Sequence, residues 1–348
     1  MQAMREYCGG KGIYGNKKYI TGILLIAISF LCACGRADTV SEKQEAKKAE
    51  KEIFAMDTIM KLTIYGENAE KALTQAENLI TLYDNIFSVT NPESDVSKIN
   101  NAKGNIVTVS EETYDLVQKS LEISEQTEGL FDISIYPLVK LWGFTTEHHK
   151  VPDEDDIQLA TQKVNYKNIE LLPENQIRIG EDMEIDFGAV AKGYLSQQII
   201  ELLKEQGISS AIVSLGGNVQ ALGKKEDGKF FVVGITDPGD GSSIFGTLSV
   251  ENKAVITSGI YQRYFEENGK KYHHIIDKRT GMPADNNLAS VTVIAENGIM
   301  ADALATALLV MGENEAKEYV KSHKDIEIIL IDKKGNVWQS EGVELTLK

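Results

Sequence analysis

Cysteine is what this sequence most conspicuously lacks. Its three cysteines, Cys8, Cys32 and Cys34, lie in the first 34 of 348 residues. Beyond them a disulfide framework, a thiolate metal site and a cysteine nucleophile are all excluded. Histidine is scarce as well, at five residues, and no third nitrogen or sulfur ligand joins a pair of them to make a zinc site. Positive charge is short: 36 Lys and Arg stand against 52 Asp and Glu, a net charge of −16. So acidic a body has no reason to seek nucleic acid or an anionic bilayer face. It can use a cation to hold a phosphorylated ligand. No internal repeat or low-complexity break divides the chain, and no apolar run reaches the roughly 20 residues of a confident membrane span.

The mostly apolar run 19–33 follows Lys17 and Lys18. A charged segment and then an apolar one of this length read as a signal peptide. The run ends Leu31-Cys32-Ala33-Cys34, which resembles the lipobox of bacterial lipoproteins. That resemblance implies cleavage after residue 33 and lipidation of Cys34; an uncleaved anchor helix is the alternative. Either way the domain is expected outside the cytoplasm, held to the cell membrane by an anchor alone. Residues 34–52 are polar and cannot bury enough surface to offset ordering entropy, so a flexible tether is expected there. The folded domain is expected over 53–348.

Residues 58–65 alternate like a strand, and 67–87 carry apolar residues at helical spacing. Helices are also expected at 111–125, at 191–206 with Gly207 closing it, and at 298–311 with Gly312 closing it. Strands are expected at 210–215, 230–236, 253–257, 272–276, 289–295, 326–332 and 336–346. Strands bunched between long helices favour α+β over a regular βαβ alternation. Residues 137–183 read as a lobe or excursion.

Four stretches break the local rules. Asp186-Phe187-Gly188-Ala189-Val190-Ala191-Lys192-Gly193-Tyr194 opens a helix, whose N-terminus offers N–H groups to phosphate, with Lys192 adding a charge. A tight turn with a solvated lysine would read the same way. Ser214-Leu215-Gly216-Gly217-Asn218 follows an apolar strand; close backbone approach to a ligand and a plain turn both fit. His273 and His274 lie near Asp277. A histidine there is a candidate general base with Asp277 orienting its ring, or a structural histidine. On one strand the two would face opposite ways. Finally, Asp302 and Thr306 share one face of an apolar helix. A carboxylate and a hydroxyl form a hard oxygen pair suited to Mg²⁺; an aspartate bonded to neighbouring amides is the alternative.

In this order, AMDT (55–58), DFGAVAKGY (186–194), SLGGN (214–218), TSGIYQRYF (257–265), YHHIIDKRTGMP (272–283) and ADALATAL (301–308) resemble the ApbE family, the FAD:protein FMN transferases. The resemblance spans nearly all of 53–348. It implies a single α+β domain related to the T-fold, with mixed or antiparallel sheets flanked by helices. It also implies Mg²⁺-dependent transfer of FMN from FAD to a Thr or Ser hydroxyl of an extracytoplasmic flavoprotein, with release of AMP. Partners implied are flavin-accepting subunits of Rnf or sodium-pumping NADH:quinone oxidoreductase complexes and related electron-transfer proteins. Carried over by motif, Asp302, Thr306 and the Ala189 carbonyl would hold the metal, and His274 and Lys192 would form the catalytic set. Met56, Thr58, Gly188, Lys192, Gly216, Gly217, Asn218, His274 and Ile275 would contact the cofactor.

The chain departs from the family pattern at Asp57, where glycine is frequent, at Ala189, where a second glycine is frequent, and at Lys278, where proline is usual. Two rival functions share these features in part: hydrolysis of FAD to FMN and AMP at the same site, and solute binding by an acidic lipoprotein.

Overall fold

The computed structural model describes residues 47–146 and 148–348. The signal segment, Cys34 and most of the expected tether lie outside the described residues. Among those described, no helix is long and apolar enough to cross a membrane.

The framework is an eight-stranded sheet, antiparallel at every pairing. Its order is 48–55, 58–65, 210–215, 218–222, 254–259, 288–295, 326–332 and 337–339. The expected α+β class is the observed one. Side chains alternate between two covered faces, as strand geometry requires. Ile328 and Leu330 pack toward the helix Gly298–Met311, while Ile329 and Ile331 pack with Phe231, Val233 and Leu248. The second face is covered by a three-stranded sheet of 231–236, 244–250 and 346–347. The helices Ala69–Ile86, Ala191–Glu205 and Gly298–Met311 form the layer on the first face.

Of the expected excursion 137–183, only its first part forms a lobe, over about 135–164, with its own small core, while Ile169, Ile177, Ile179 and Met183 pack in the main core. Leu138, Trp142 and Ile157 pack with Ile276, Phe265 and Tyr272. The indole Nε1–H of Trp142 donates to the Gly281 carbonyl at 2.9 Å. The lobe is thereby fastened to 264–283, a segment of two short hairpins that leaves the main sheet.

Three expectations need correction. The tether expected to reach residue 52 stops earlier, because Lys48–Ala55 is the edge strand of the main sheet, paired along its length with Thr58–Tyr65. Residues 272–276 are not one strand: Lys270–His273 ends one hairpin, and Ile276–Asp277 begins the next. The last expected strand, 336–346, is also two. Val337–Gln339 completes the main sheet, and Thr346–Leu347 joins the other one.

Candidate functional site

Two tight turns sit side by side at one end of the main sheet. The pairing Ala55↔Thr58 leaves Met56–Asp57 as a two-residue loop, and Leu215↔Asn218 leaves Gly216–Gly217. All four residues have positive φ: 47° and 58° in the first turn, 61° and 98° in the second. This is the hairpin turn that matches the twist of the flanking strands. Left-handed backbone at Asp57 is what makes glycine comfortable there. The strands between the turns pair Met60↔Leu215, and the Gly216 N–H donates to the Ile59 carbonyl at 3.2 Å. Thr58 lies directly under Gly216, where a Cβ would come within 2.7 Å of Thr58 Cγ2. The structure thus brings Met56, Thr58, Gly216 and Gly217 together. Asn218 follows, 4% exposed, and its Nδ2 has no hydrogen-bond partner.

The helix Ala191–Glu205 begins without a side-chain cap. Its first turn is joined to Asp302 in an unusual way. The helix begins at Ala191 with Val190 as its N-cap, so the Gly193 N–H is a first-turn donor with no intrahelical acceptor, left by default to water. It donates instead to Asp302 Oδ2, at 2.8 Å. Asp302 thereby caps the helix start from the neighbouring helix, and the Ala189 carbonyl lies ahead of the helix with no intrahelical donor. Only glycine permits the approach: a Cβ on Gly193 would strike the Gly298 carbonyl oxygen and lie 2.5 Å from Asp302 Cβ.

Asp302 is 5% exposed. One turn further along its helix, Thr306 is the only residue of 301–310 that is not buried. Its Oγ1 lies 3.1 Å from Ser258 Oγ. Among the described residues, no three His, Cys, Asp or Glu side chains group to hold a metal by themselves. A cation here would take one carboxylate and complete its shell with hydroxyl, carbonyl and ligand oxygens. The oxygens of Asp302, Thr306 and Ala189 are of the hard kind that suits Mg²⁺.

The two adjacent histidines differ sharply. His273 is buried, its Nε2–H donates to the Ala284 carbonyl at 3.0 Å, and its Nδ1 has no partner. His274 is half-exposed, and its backbone N–H and its Nδ1 both lie 3.1 Å from the Arg263 carbonyl. A carbonyl only accepts, so Nδ1 carries the proton and Nε2 keeps a free lone pair. Desolvation, reinforced by Arg263, His273 and Lys192, pushes the His274 pKa down to about 4, against the pull of the Arg263 carbonyl. The ring is therefore neutral at pH 7. Asp277 does not orient this ring as expected, because its carboxylate is held by Arg279 at 2.8–3.1 Å.

Asp186 and Arg263 also belong to the site, although the sequence alone did not single them out. Asp186 opens the turn before the helix, and burial pushes its pKa up despite the Gly188 N–H and the charge of Lys192. Lys192 Nζ reaches the Gly188 carbonyl at 3.4 Å. A carboxylate opening a glycine-rich turn was the available signal for Asp186. Ile275 differs from expectation: its side chain is buried in the core with Leu288 and Leu308, and its carbonyl accepts the Ala284 N–H at 2.9 Å.

Sequence and structure comparisons agree with one another. A sequence model of the ApbE family matches residues 56–330. An FAD:protein FMN transferase of Klebsiella pneumoniae is 34% identical over 281 residues, covering 79% of this chain and 86% of its own. Another, from Treponema pallidum, is 30% identical over 339 residues, covering 91% and 93%. The crystal structure of the ApbE protein of Thermotoga maritima superposes with a TM-score of 0.79 at 32% identity, covering 85% of this chain and 97% of its own.

Proposed function

The chain belongs to the ApbE family, and from that premise we propose that it is an FAD:protein FMN transferase. In this reading it moves FMN from FAD onto a threonine or serine hydroxyl of a partner protein and releases AMP. The observation that carries the reading is the Gly193 N–H bond to Asp302, which holds a buried carboxylate against the start of the helix that follows Ala189. Phosphoryl-type transfer asks a protein for positioning and charge neutralisation more than for covalent chemistry.

Asp302, Thr306 and the Ala189 carbonyl would hold the cation. Bound Mg²⁺ would neutralise the diphosphate and polarise the attacked phosphorus. Lys192, through its ammonium and its own first-turn N–H, would hold phosphate oxygens. The paired turns at Met56–Thr58 and Gly216–Asn218 would line the rest of the dinucleotide. His274 Nε2 would take the acceptor's hydroxyl proton as the new O–P bond forms and the bond to AMP breaks.

The partner in this reading is a flavin-bearing subunit of an Rnf or sodium-pumping NADH:quinone oxidoreductase complex, or a related extracytoplasmic electron-transfer protein. The protein itself would be anchored outside the cytoplasm through lipidated Cys34. Mass spectrometry of the membrane fraction tests that anchor, and an unmodified Cys34 would defeat it.

The transfer reading is tested by incubating the protein with FAD, Mg²⁺ and such a subunit. Covalently bound FMN on the subunit supports it. Free FMN alone makes the protein a hydrolase, and neither product points to solute binding.

A further inference from the structure

Only three arginines fall among the described residues: Arg178, Arg263 and Arg279. Arg178 pairs with Glu170 at 2.5 Å, and Arg279 pairs with Asp277 at 2.8 Å. Arg263 is exposed and has no ion-pair partner among the described residues. Lys192 has none there either; its ammonium reaches only the Gly188 carbonyl. In a chain with 52 acidic and 36 basic residues, carboxylates are plentiful, yet neither cation has one in contact.

The two cations are in one place. The Arg263 carbonyl grips His274 through both its backbone N–H and its ring Nδ1, which fixes the Arg263 backbone beside the imidazole. Both Lys192 and Arg263 act electrostatically on His274 and on Asp186. Lys192 also sits in the first turn of its helix, against the positive end of the helix dipole, where an anion is favoured and a cation is not. A lysine opposing its own helix dipole and an arginine with no ion pair together make a positive field that Asp186, whose ionised form burial disfavours, answers only in part. A planar guanidinium offers two parallel donors to a phosphate, which an ammonium cannot.

We propose that Arg263 is a second binding residue for the diphosphate of FAD, acting with Lys192 across the His274 ring. The proposal rests on the transfer reading above and adds a residue to it. Arg263 then acts in two ways at once. Its carbonyl sets the tautomer of the base, and its side chain holds the substrate that the base serves.

The test is an equilibrium titration of flavin fluorescence with the purified full chain and its Arg263→Gln and Arg263→Lys variants. FAD is one probe, and riboflavin, which carries the flavin ring and no phosphate, is the other. Arg263→Gln is expected to weaken FAD binding at least about tenfold, from the loss of hydrogen bonds to a charged group. Riboflavin binding should stay within about twofold, and Arg263→Lys should recover part of the FAD affinity. Equal FAD binding by wild type and Arg263→Gln overturns the proposal and leaves the transfer reading intact. Equal weakening of FAD and riboflavin also overturns it, since that reports a distorted site. A wild-type protein that fails to bind FAD at all overturns both.

Discussion

Asp302 and His274 stand on different kinds of scaffold. Asp302 lies on a helix buried at every position from 301 to 310 except Thr306, between the main sheet and the helix Ala191–Glu205. His274 lies in a break between two short hairpins, on a segment outside the main sheet and fastened to a small lobe through Trp142 and Gly281. The oxygen side of the site is therefore part of the protein's core, where interiors are packed like crystals and a single added methyl group is felt. The base side is held by one carbonyl and a satellite core. Changes on the oxygen side should mix folding with chemistry, whereas changes on the base side should separate them.

The largest effects are expected on the oxygen side. Asp302→Ala should lower Mg²⁺-dependent turnover by at least about 10³-fold, since metal charge stabilisation is worth several kcal/mol. The Gly193 N–H would lose its acceptor, at a cost of about 1–3 kcal/mol, which a folded domain of about 5–15 kcal/mol stability withstands. Gly193→Ala keeps the carboxylate but drives a methyl group against Gly298 and Asp302. It should destabilise the protein by about 1–3 kcal/mol, the usual range for overpacking, and also reduce turnover. Thermal melts beside turnover assays check both variants. A Gly193→Ala protein with normal stability and normal turnover would show that the two helices need not meet this closely.

On the base side the effect is smaller and purer. His274→Ala should slow transfer by about 10²–10⁴-fold, the range for a lost general base, with FAD affinity changed only a few-fold. His273→Ala should be far milder in turnover, because His273 faces Ala284 inside the protein. The pH profile follows from the same ring. With its pKa pushed down to about 4, His274 stays neutral and competent from neutral pH downward, and transfer should fall only as pH drops through about 4. An acid limb near the ordinary histidine value, about 6.5, would mean that the ring is less shielded than the structure implies. If His274→Ala remained active, the base would lie elsewhere, and the proposed division of labour between the two walls would fail.

Much of this was legible in the sequence, and the gaps have physical causes. The strand at 58–65 and the helices at 191–205 and 298–311 announce themselves through periodicity and closing glycines. The Asp302–Thr306 pair stood out as polar residues on an apolar helix. The edge strand 48–55 did not, because its outer residues are Lys48, Glu50, Lys51 and Glu52. Charged edges protect a sheet against other chains, and they hide the strand from any hydrophobic pattern. The break at His274 is hidden because Tyr272 and Ile275–Ile276 favour a strand, while the chain turns there to bury Ile275 beside Ala284. The bond from the Gly193 N–H to Asp302 could not be read at all, since it joins residues 109 positions apart. The lack of an ion pair at Arg263 is equally invisible until ion pairs can be traced.

The smallest effect on turnover should come from Lys278, where this chain departs from the proline usual in the family. Its ammonium lies 2.8 Å from Asp132 Oδ2, and the Asp132 side chain is only 1% exposed. This pair joins the segment entering the lobe to the turn just beyond His274. Stripping a partner from a buried ion pair typically costs about 3–5 kcal/mol, because a charge is left buried and alone. Here the penalty should be smaller. Asp132 still accepts from the Ser134 N–H and hydroxyl and from the Tyr166 N–H, at 2.6–3.1 Å, and Lys278 is 20% exposed. Lys278→Met should therefore cost about 1.5–3 kcal/mol, the value of a hydrogen bond to a charged group. It should leave turnover within a few-fold, because the Arg263 carbonyl, not this ion pair, orients His274. Denaturant unfolding measures the first quantity and an FMN transfer assay the second. A large fall in turnover with little change in stability would reverse the assignment, making the lobe a part of the catalytic apparatus and not only its support.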